Sequence, residues 1–293
     1  MQIRAEVKDA IASAKPVVAL ESTLIAHGLP WPTNVETALA AEAAVRAEQA
    51  IPATIAVLDG VATIGLTERE IADLAKRTDV MKASRRDLAI ALAQKRTAAT
   101  TVSATMVLAH RAGIRLFATG GIGGAHRDTH PWDVSADLLE LARTPVAVVC
   151  AGAKSILDIP RTLEILETHA VPVVGFGVDH FPAFYVRTSG EPVSAHVNTP
   201  DEAAALLRYH WVFGGAGVVL AQPVETALAL EPEEFACALA TSEQEAVAAS
   251  VRGKDLTPFL LRRLAEITGG KSLRANQALV IANARLAAQI ARS

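Results

Sequence analysis

A chain of 293 residues, 51% hydrophobic and 20% charged, carries enough apolar material for a substantial core and too much for a disordered segment. Its net charge of -3 gives no general attraction for nucleic acid, and no Lys/Arg run is interleaved with aromatics, so nucleic acid is not an expected partner. No apolar run approaches the length that crosses a bilayer, and MQIRAEVKDAIASAKP lacks the apolar core of a signal peptide; the expectation is a soluble, cytoplasmic protein.

In chain order, the N-terminal segment reads as a polar first helix. Pro16-Val17-Val18-Ala19-Leu20 is a short apolar strand ending at Glu21-Ser22-Thr23. Thr33 to Ala50 predicts a helix with Leu39, Ala43 and Ala47 on one face and Asn34 as cap. Thr54 to Leu58 is the next strand, with Asp59-Gly60 as its turn, and Thr67-Glu68-Arg69-Glu70 opens a helix in capping-box form. Val80 to Ala83 is a weaker strand before a basic-headed helix from Arg85.

Ile114 to Ala118 and Val146 to Cys150 are buried strands, each feeding a glycine-containing turn. A helix near Arg161 to His169 and a strand from Val171 to Gly175 follow; Ala183 to Arg187 and Gly217 to Ala221 read as further strands. The last third is helical: Ser242 to Arg252, Pro258 to Thr268, and Leu273 onward. Without an internal repeat or a linker, the alternation predicts an α/β fold: a single domain over residues 1–293, with a mixed, largely parallel sheet and helices on both faces. Cys150 and Cys237 have no metal-type spacing; Cys150 reads as a buried free thiol, which suits a reducing compartment.

The stretch from Thr119 to Asp158 concentrates the chemistry. Lys154 follows an apolar strand and the small residues Ala151-Gly152-Ala153, which places it at the carboxyl end of a sheet among uncharged neighbours. Partial burial there disfavours the ammonium form, and a neutral lysine attacks carbonyl carbon to form a Schiff base. A solvated surface charge is the alternative. Asp133 and Asp137, spaced i, i+4, either share a helix face as ligands of a hard divalent cation or serve as cap and first turn. His126 and His130 lie nearby without a zinc signature. Gly120 to Gly124 misses the dinucleotide fingerprint and the P-loop lysine, leaving an anion-approaching turn or a plain tight turn. Glu21, at a strand end, is either a helix cap or a general acid or base, and Lys82 suits a phosphate as a point charge.

The strings ALESTLIAHGLPWPTN, ASRRDLA, TTVSATM, FATGGIGGAHR, DVSADL, CAGAKSILD and TPFLLRRLAEITGGKSL, in this order from Ala19 to Asn276, resemble the pseudouridine-5'-phosphate glycosidase family. The resemblance implies reversible hydrolysis of the carbon–carbon glycosidic bond of pseudouridine 5'-phosphate to uracil and ribose 5-phosphate. It further implies Lys154 as covalent nucleophile, Glu21 as proton donor and Asp133 as ligand, mainly through waters, of a divalent cation, usually Mn2+. Lys82, Val102, Ser135, Ala136 and Asp137 fall at substrate-binding positions, with His126 and Asn276 as further contacts. A homotrimer is implied, and no sugar-kinase segment follows. An aldolase-type Schiff-base lyase would share the lysine without releasing uracil; a non-catalytic sugar-phosphate-binding regulator would bind without turnover.

Overall fold

The computed structural model describes residues 1–127, 133–251 and 256–293; His130 and Arg252 lie outside them. The first part contains β1 (Gln2–Ile3), α1 (Ala5–Ala12), β2 (Val17–Leu20), α2 (Thr33–Ala47), β3 (Ile51–Leu58), β4 (Val61–Ile64) and α3 (Glu68–Lys76). Then come β5 (Met81–Ala83), α4 (Arg85–Ala93), β6 (Ala98–Thr100), α5 (Val102–Ala112), β7 (Leu116–Ala118), β8 (Ala125–His126), α6 (Ala136–Leu141) and β9 (Ala147–Cys150). The remainder is β10 (Leu157–Asp158), α7 (Ile159–Thr168), β11 (Val173–Phe176), β12 (Ala195–Val197), α8 (Pro200–Val212), β13 (Val218–Ala221), α9 (Pro232–Ala248), α10 (Leu256–Ile267) and α11 (Lys271–Arg292).

The main sheet runs in the order β1-β4-β3-β2-β7-β9-β13-β11-β12, and every pairing from β3 to β12 is parallel. Strands β2, β9 and β13 (VVAL, AVVC, VVLA) are buried at every position, the pattern of strands covered on both faces. β3 is the pivot between two pairing modes. Its first half pairs parallel with β2, and its second half pairs antiparallel with β4 and β6. The β3–β4 hairpin turns through Asp59 and Gly60, both at positive φ, as a two-residue hairpin requires. Helix α11 lies over β2, β7 and β9 and against α2 and α8, while α5 packs on β2, β3 and β4 beside α4 and α6.

The chain leaves β2 toward β3 on one side and later returns to β7 on its other side. This reversal of winding opens a crevice beyond the carboxyl ends of β2 and β7, where doubly wound sheets keep their ligands.

Several expectations need correction. Helix α2 buries Ala38, Ala41, Ala44 and Val45, whereas Ala43 and Ala47 are exposed. Asn34 does not cap it; its amide donates to the carbonyls of Ile25 (2.8 Å) and Ala75 (3.1 Å), pinning the helix to the preceding π-helical turn and to α3. Residues 183–187 form a tight turn with Phe184 at φ 62°, not a strand. α9 begins at Pro232, well before the expected Ser242, because Pro at the first turn with Glu233 and Glu234 behind it suits a helix start. The capping box at Thr67–Glu70 is present as expected.

Glu42 on α2 is buried against β3, where Thr54 donates its hydroxyl at 2.5 Å. Burial raises its pKa, only partly offset by the Thr54 hydrogen bond and the charge of Arg46. A carboxyl whose folded pKa is raised binds a proton more tightly in the folded state, so its contribution to stability falls as pH climbs from the ordinary carboxylate range through the raised value. Urea unfolding of wild type and Glu42→Gln at pH 5 and pH 8 should therefore show the variant gaining relative stability at the higher pH. An equal difference at both would contradict this reading.

Candidate active site

Three neighbouring strand ends build the site. Glu21 follows β2, Thr119 and Gly120 follow β7, and Ala151 to Lys154 follow β9. Glu21 is half-buried, and its two carboxylate oxygens accept from the hydroxyls of Thr23 and Thr119. It caps no helix; it is held as a fixed carboxylate facing the crevice between β2 and β7. Cys150, fully buried at the end of β9, has its thiol pushed up to about 12 by burial and is no nucleophile.

Lys154 is set by backbone rather than by side-chain partners. The Ala151 N–H donates to Gly120 O (2.9 Å), the Ile122 N–H to Gly152 O (3.0 Å), and the Lys154 N–H to Ile122 O (3.1 Å). The glycine turn and the lysine loop are thereby joined like a short parallel ladder, with Ile122 opposite Ala153. Gly152 sits at φ 86°, and a Cβ there would lie 1.9 Å from the carbonyl oxygen of Pro182. Lys154 itself is half-buried, and among the described residues its ammonium group takes part in no hydrogen bond or ion pair.

Charge gathers around His126. It is half-buried, and its pKa is lowered first by desolvation; the Asp133 carboxylate opposes this, and the Lys154 and Lys82 ammonium groups reinforce it. One imidazole thus feels Asp133, Lys154 and Lys82 together, and its backbone N–H donates to Asp133 O at 3.0 Å. Of the residues singled out in the sequence, these four share one electrostatic neighbourhood.

The two aspartates are not a helical pair. Asp133 precedes α6 in extended chain, and the N-cap is Ser135, whose hydroxyl accepts from the Asp137 N–H (3.2 Å). Asp137 is buried, with one carboxylate oxygen accepting from the Ser103 N–H (3.0 Å) in the first turn of α5 and the other from the Gly123 N–H (2.9 Å). Its place is to tie the glycine turn to the start of α5, a helix end that favours an anion. In the glycine run the Gly123 amide is given to the Asp137 carboxylate, and the missing side chains make room for Asn276, Phe184, Ser135 and Thr162.

Among the described residues no three His, Cys, Asp or Glu side chains cluster as a metal-binding group. With Asp137 engaged by amides, Asp133 is, among the described residues, the carboxylate whose charge acts on His126. One carboxylate with several waters suits a hard, hydrated divalent cation.

Val102 is buried at the first turn of α5, and Ser135 and Ala136 stand at the start of α6. Lys82 lies on β5, which pairs with β6 directly before α5. Asn276 on α11 is buried beside Gly120, and its side-chain oxygen has no hydrogen-bond partner among the described residues. Thr101, capping α5, likewise has an unpaired buried hydroxyl. Sequence reasoning missed Thr23, Thr101 and Thr119. Each directly follows or precedes a named motif residue, but an isolated threonine carries no pattern. A cavity of about 480 Å³ lined by Arg127, Ser155, Asp158 and Phe235 does not include Lys154, Glu21 or Asp133, and a small apolar one touches Glu21 and Thr119.

The sequence model of the indigoidine synthase A-like proteins matches residues 6–293. A pseudouridine-5'-phosphate glycosidase of Methylobacterium nodulans is 54% identical over 98% of this chain and 86% of its own, and one of Alkaliphilus metalliredigens is 51% identical over 98% and 94%. The chain belongs to the pseudouridine-5'-phosphate glycosidase family. Solved structures extend the likeness to the whole fold. The prealnumycin C-glycosynthase AlnA, in complex with ribulose 5-phosphate, superposes with a TM-score of 0.90 at 38% identity over 99% of this chain and 95% of that one. An indigoidine synthase A-like protein of Thermotoga maritima gives 0.90 at 35% identity over 99% and 94%.

The close approach at Gly152 can be checked against Gly190, which has φ 85° but open space around it. Gly190→Ala should cost only the left-handed conformation, about 1 kcal/mol, whereas Gly152→Ala adds a backbone collision and should cost at least about 3 kcal/mol in urea unfolding. Equal costs would contradict the described loop.

Proposed function

We propose that this chain hydrolyses the carbon–carbon glycosidic bond of pseudouridine 5'-phosphate, reversibly, to uracil and ribose 5-phosphate through a Schiff base on Lys154. The observation that carries the reading is the placement of a fixed carboxylate, Glu21 after β2, and Lys154 after β9, an amine in no ion pair among the described residues, on the two sides of β7 at one end of the sheet. The names of the relatives support the substrate. A neighbour named as a C-glycosynthase and holding ribulose 5-phosphate, an open-chain pentose phosphate, supports a site that handles a ring-opened sugar phosphate and its carbon–carbon bond.

An ordinary glycosidase uses two carboxylates because its leaving group departs on a heteroatom that accepts a proton. Here the leaving atom is carbon C5 of uracil. In the proposed path the Lys154 nitrogen bonds to C1' as the C1'–O4' bond breaks, and O4' takes a proton from Glu21. The alkylated nitrogen gives up a proton, C5 takes that proton, and the C1'–C5 bond breaks, its electron pair staying with C5 while the freed nitrogen lone pair forms the C=N bond; the water that adds next returns a proton to the Glu21 carboxylate. Water adds to that Schiff base, the C–N bond breaks, and ribose 5-phosphate leaves with the amine and the acid restored. Lys82 and the first turn of α5 at Val102 hold the 5'-phosphate by charge and helix dipole. Ser135, Ala136, His126 and Asn276 bound the rest of the substrate, and the unpaired Asn276 oxygen awaits a donor.

Asp133 holds the hydrated divalent cation, Mn2+ in this reading. When bound, such an ion supplies charge stabilisation and oriented water. The exposed apolar side chains Tyr209, Val212 and Phe213 at the end of α8 support association of copies, read here as a homotrimer. Both cysteines are free, which supports a reducing, cytoplasmic setting. No helix among the described residues is long and apolar enough to cross a membrane.

Pure protein with Mn2+ and pseudouridine 5'-phosphate should release uracil, followed by ultraviolet absorbance. Lys154→Ala and Glu21→Gln should each lower kcat by at least about a thousandfold. A Lys154→Ala enzyme with wild-type turnover would refute the scheme. EDTA should suppress the reaction and Mn2+ restore it, with Asp133→Asn needing more metal for half-maximal rate; undiminished turnover after chelation would remove the metal from the proposal.

A further inference from the structure

We infer that Asn283 and Gln222 are positioning residues for the acid, fixing Glu21 through the end of β7. Asn283 lies on α11 with no solvent exposure, seven residues after Asn276 and so on nearly the same helix face, two turns on. Its side-chain amide donates to Thr119 O at 2.8 Å and more distantly to Gly120 O at 3.4 Å. Its side-chain oxygen accepts from the Gln222 amide at 2.8 Å. Gln222 directly follows β13, and its backbone N–H donates to Cys150 O at 3.0 Å, at the end of β9. A single buried asparagine therefore joins α11 to the carboxyl ends of β7 and β13, and Gln222 extends the link to β9.

The chain of contacts ends on the acid. The Thr119 N–H donates to Val149 O (3.0 Å), its carbonyl is gripped by Asn283, and its hydroxyl donates to Glu21. With both sides of its backbone held, Thr119 has little freedom to swing its hydroxyl away, so the Glu21 carboxylate keeps its direction. Thr23 holds the other oxygen and comes from the chain just after Glu21 itself, which makes it a local constraint. The Asn283 route is the one that refers the acid to the frame of the sheet and to α11, the helix that also carries Asn276. Neither Asn283 nor Gln222 has any further role in the proposed reaction. A fully buried asparagine paired with a half-buried glutamine orients three strand ends at an energetic risk that an apolar contact would not carry.

Because the inference rests on Glu21 acting as proton donor, the experiment separates the two readings. Uracil release from pseudouridine 5'-phosphate is measured for wild type, Asn283→Leu, Gln222→Leu, Thr119→Val and the Thr119→Val double variants, with folding checked by circular dichroism. Gln222→Leu, only half-buried, keeps the test usable should Asn283→Leu fail to fold. Each single variant should lower kcat about 10- to 100-fold with KM within about twofold, as misdirection of a reacting group does. In the Thr119→Val background, Gln222→Leu or Asn283→Leu should cost less than about threefold more, because the path to Glu21 is already cut. Folded single variants with wild-type kcat, or losses that multiply fully with Thr119→Val, would overturn the inference while leaving Glu21 in place. Absence of uracil release by the wild type would overturn both.

Discussion

The structure depends on the short backbone ladder between the glycine turn after β7 and the loop after β9. Three N–H···O bonds, from Ala151 to Gly120, Ile122 to Gly152 and Lys154 to Ile122, extend the sheet beyond its strands. The extension is possible only because Gly152 adopts positive φ under the Pro182 carbonyl and Gly121 admits the Phe184 ring. Bulkier residues would part the two loops and let the lysine side chain drift. Instead, the amine inherits the rigidity of the sheet, although its own side chain is tied to nothing among the described residues. A reactive group placed by backbone keeps its chemistry free; a group placed by an ion pair does not.

Glu21 is treated in the opposite manner. Glu21 is held through its side chain by two hydroxyls, one local and one referred through Thr119 to the buried amides on α11 and after β13. The reversal of strand winding between β2 and β7 brings these two strategies side by side. Asp137 performs a third task, spending both oxygens on backbone amides so that α5, α6 and the glycine turn meet at one point. Its neighbour Asp133 is left to face His126. The acidic pair that spacing alone presents as equivalent is thus divided into one member bound by backbone amides and one beside His126.

What the sequence made legible follows from how local each cause is. Lys154 and Glu21 were readable because a buried apolar run followed by small or polar residues places the next side chain at a strand end. The Thr67 capping box and the Asp59-Gly60 turn were readable because their signals span four residues or fewer. α8 offered a comparable signal, Thr199 as cap with Pro200, Asp201 and Glu202 behind it, that went unread. α5 gave no amphipathic stripe, since eight of its eleven residues are buried. The α2 face was misplaced because an alanine-rich helix has little contrast between its sides, and the packing of α11 decides which alanines are covered. Residues 183–187 look like a strand by composition, yet tertiary contact of Phe184 with Gly121 and Ala151 bends them into a turn. Asn283 was beyond reach for a like reason: Thr119 and Gly120 lie more than 160 residues away in the chain, and Gln222 lies 61 away.

The central claim is that Lys154, and no other amine, bonds to the sugar carbon. Borohydride added during turnover of pseudouridine 5'-phosphate, followed by proteolysis and mass spectrometry, tests it most directly. The account predicts a reduced pentose-phosphate adduct on the peptide carrying Lys154. An adduct on Lys82 instead, or none while uracil is still being released, would contradict it.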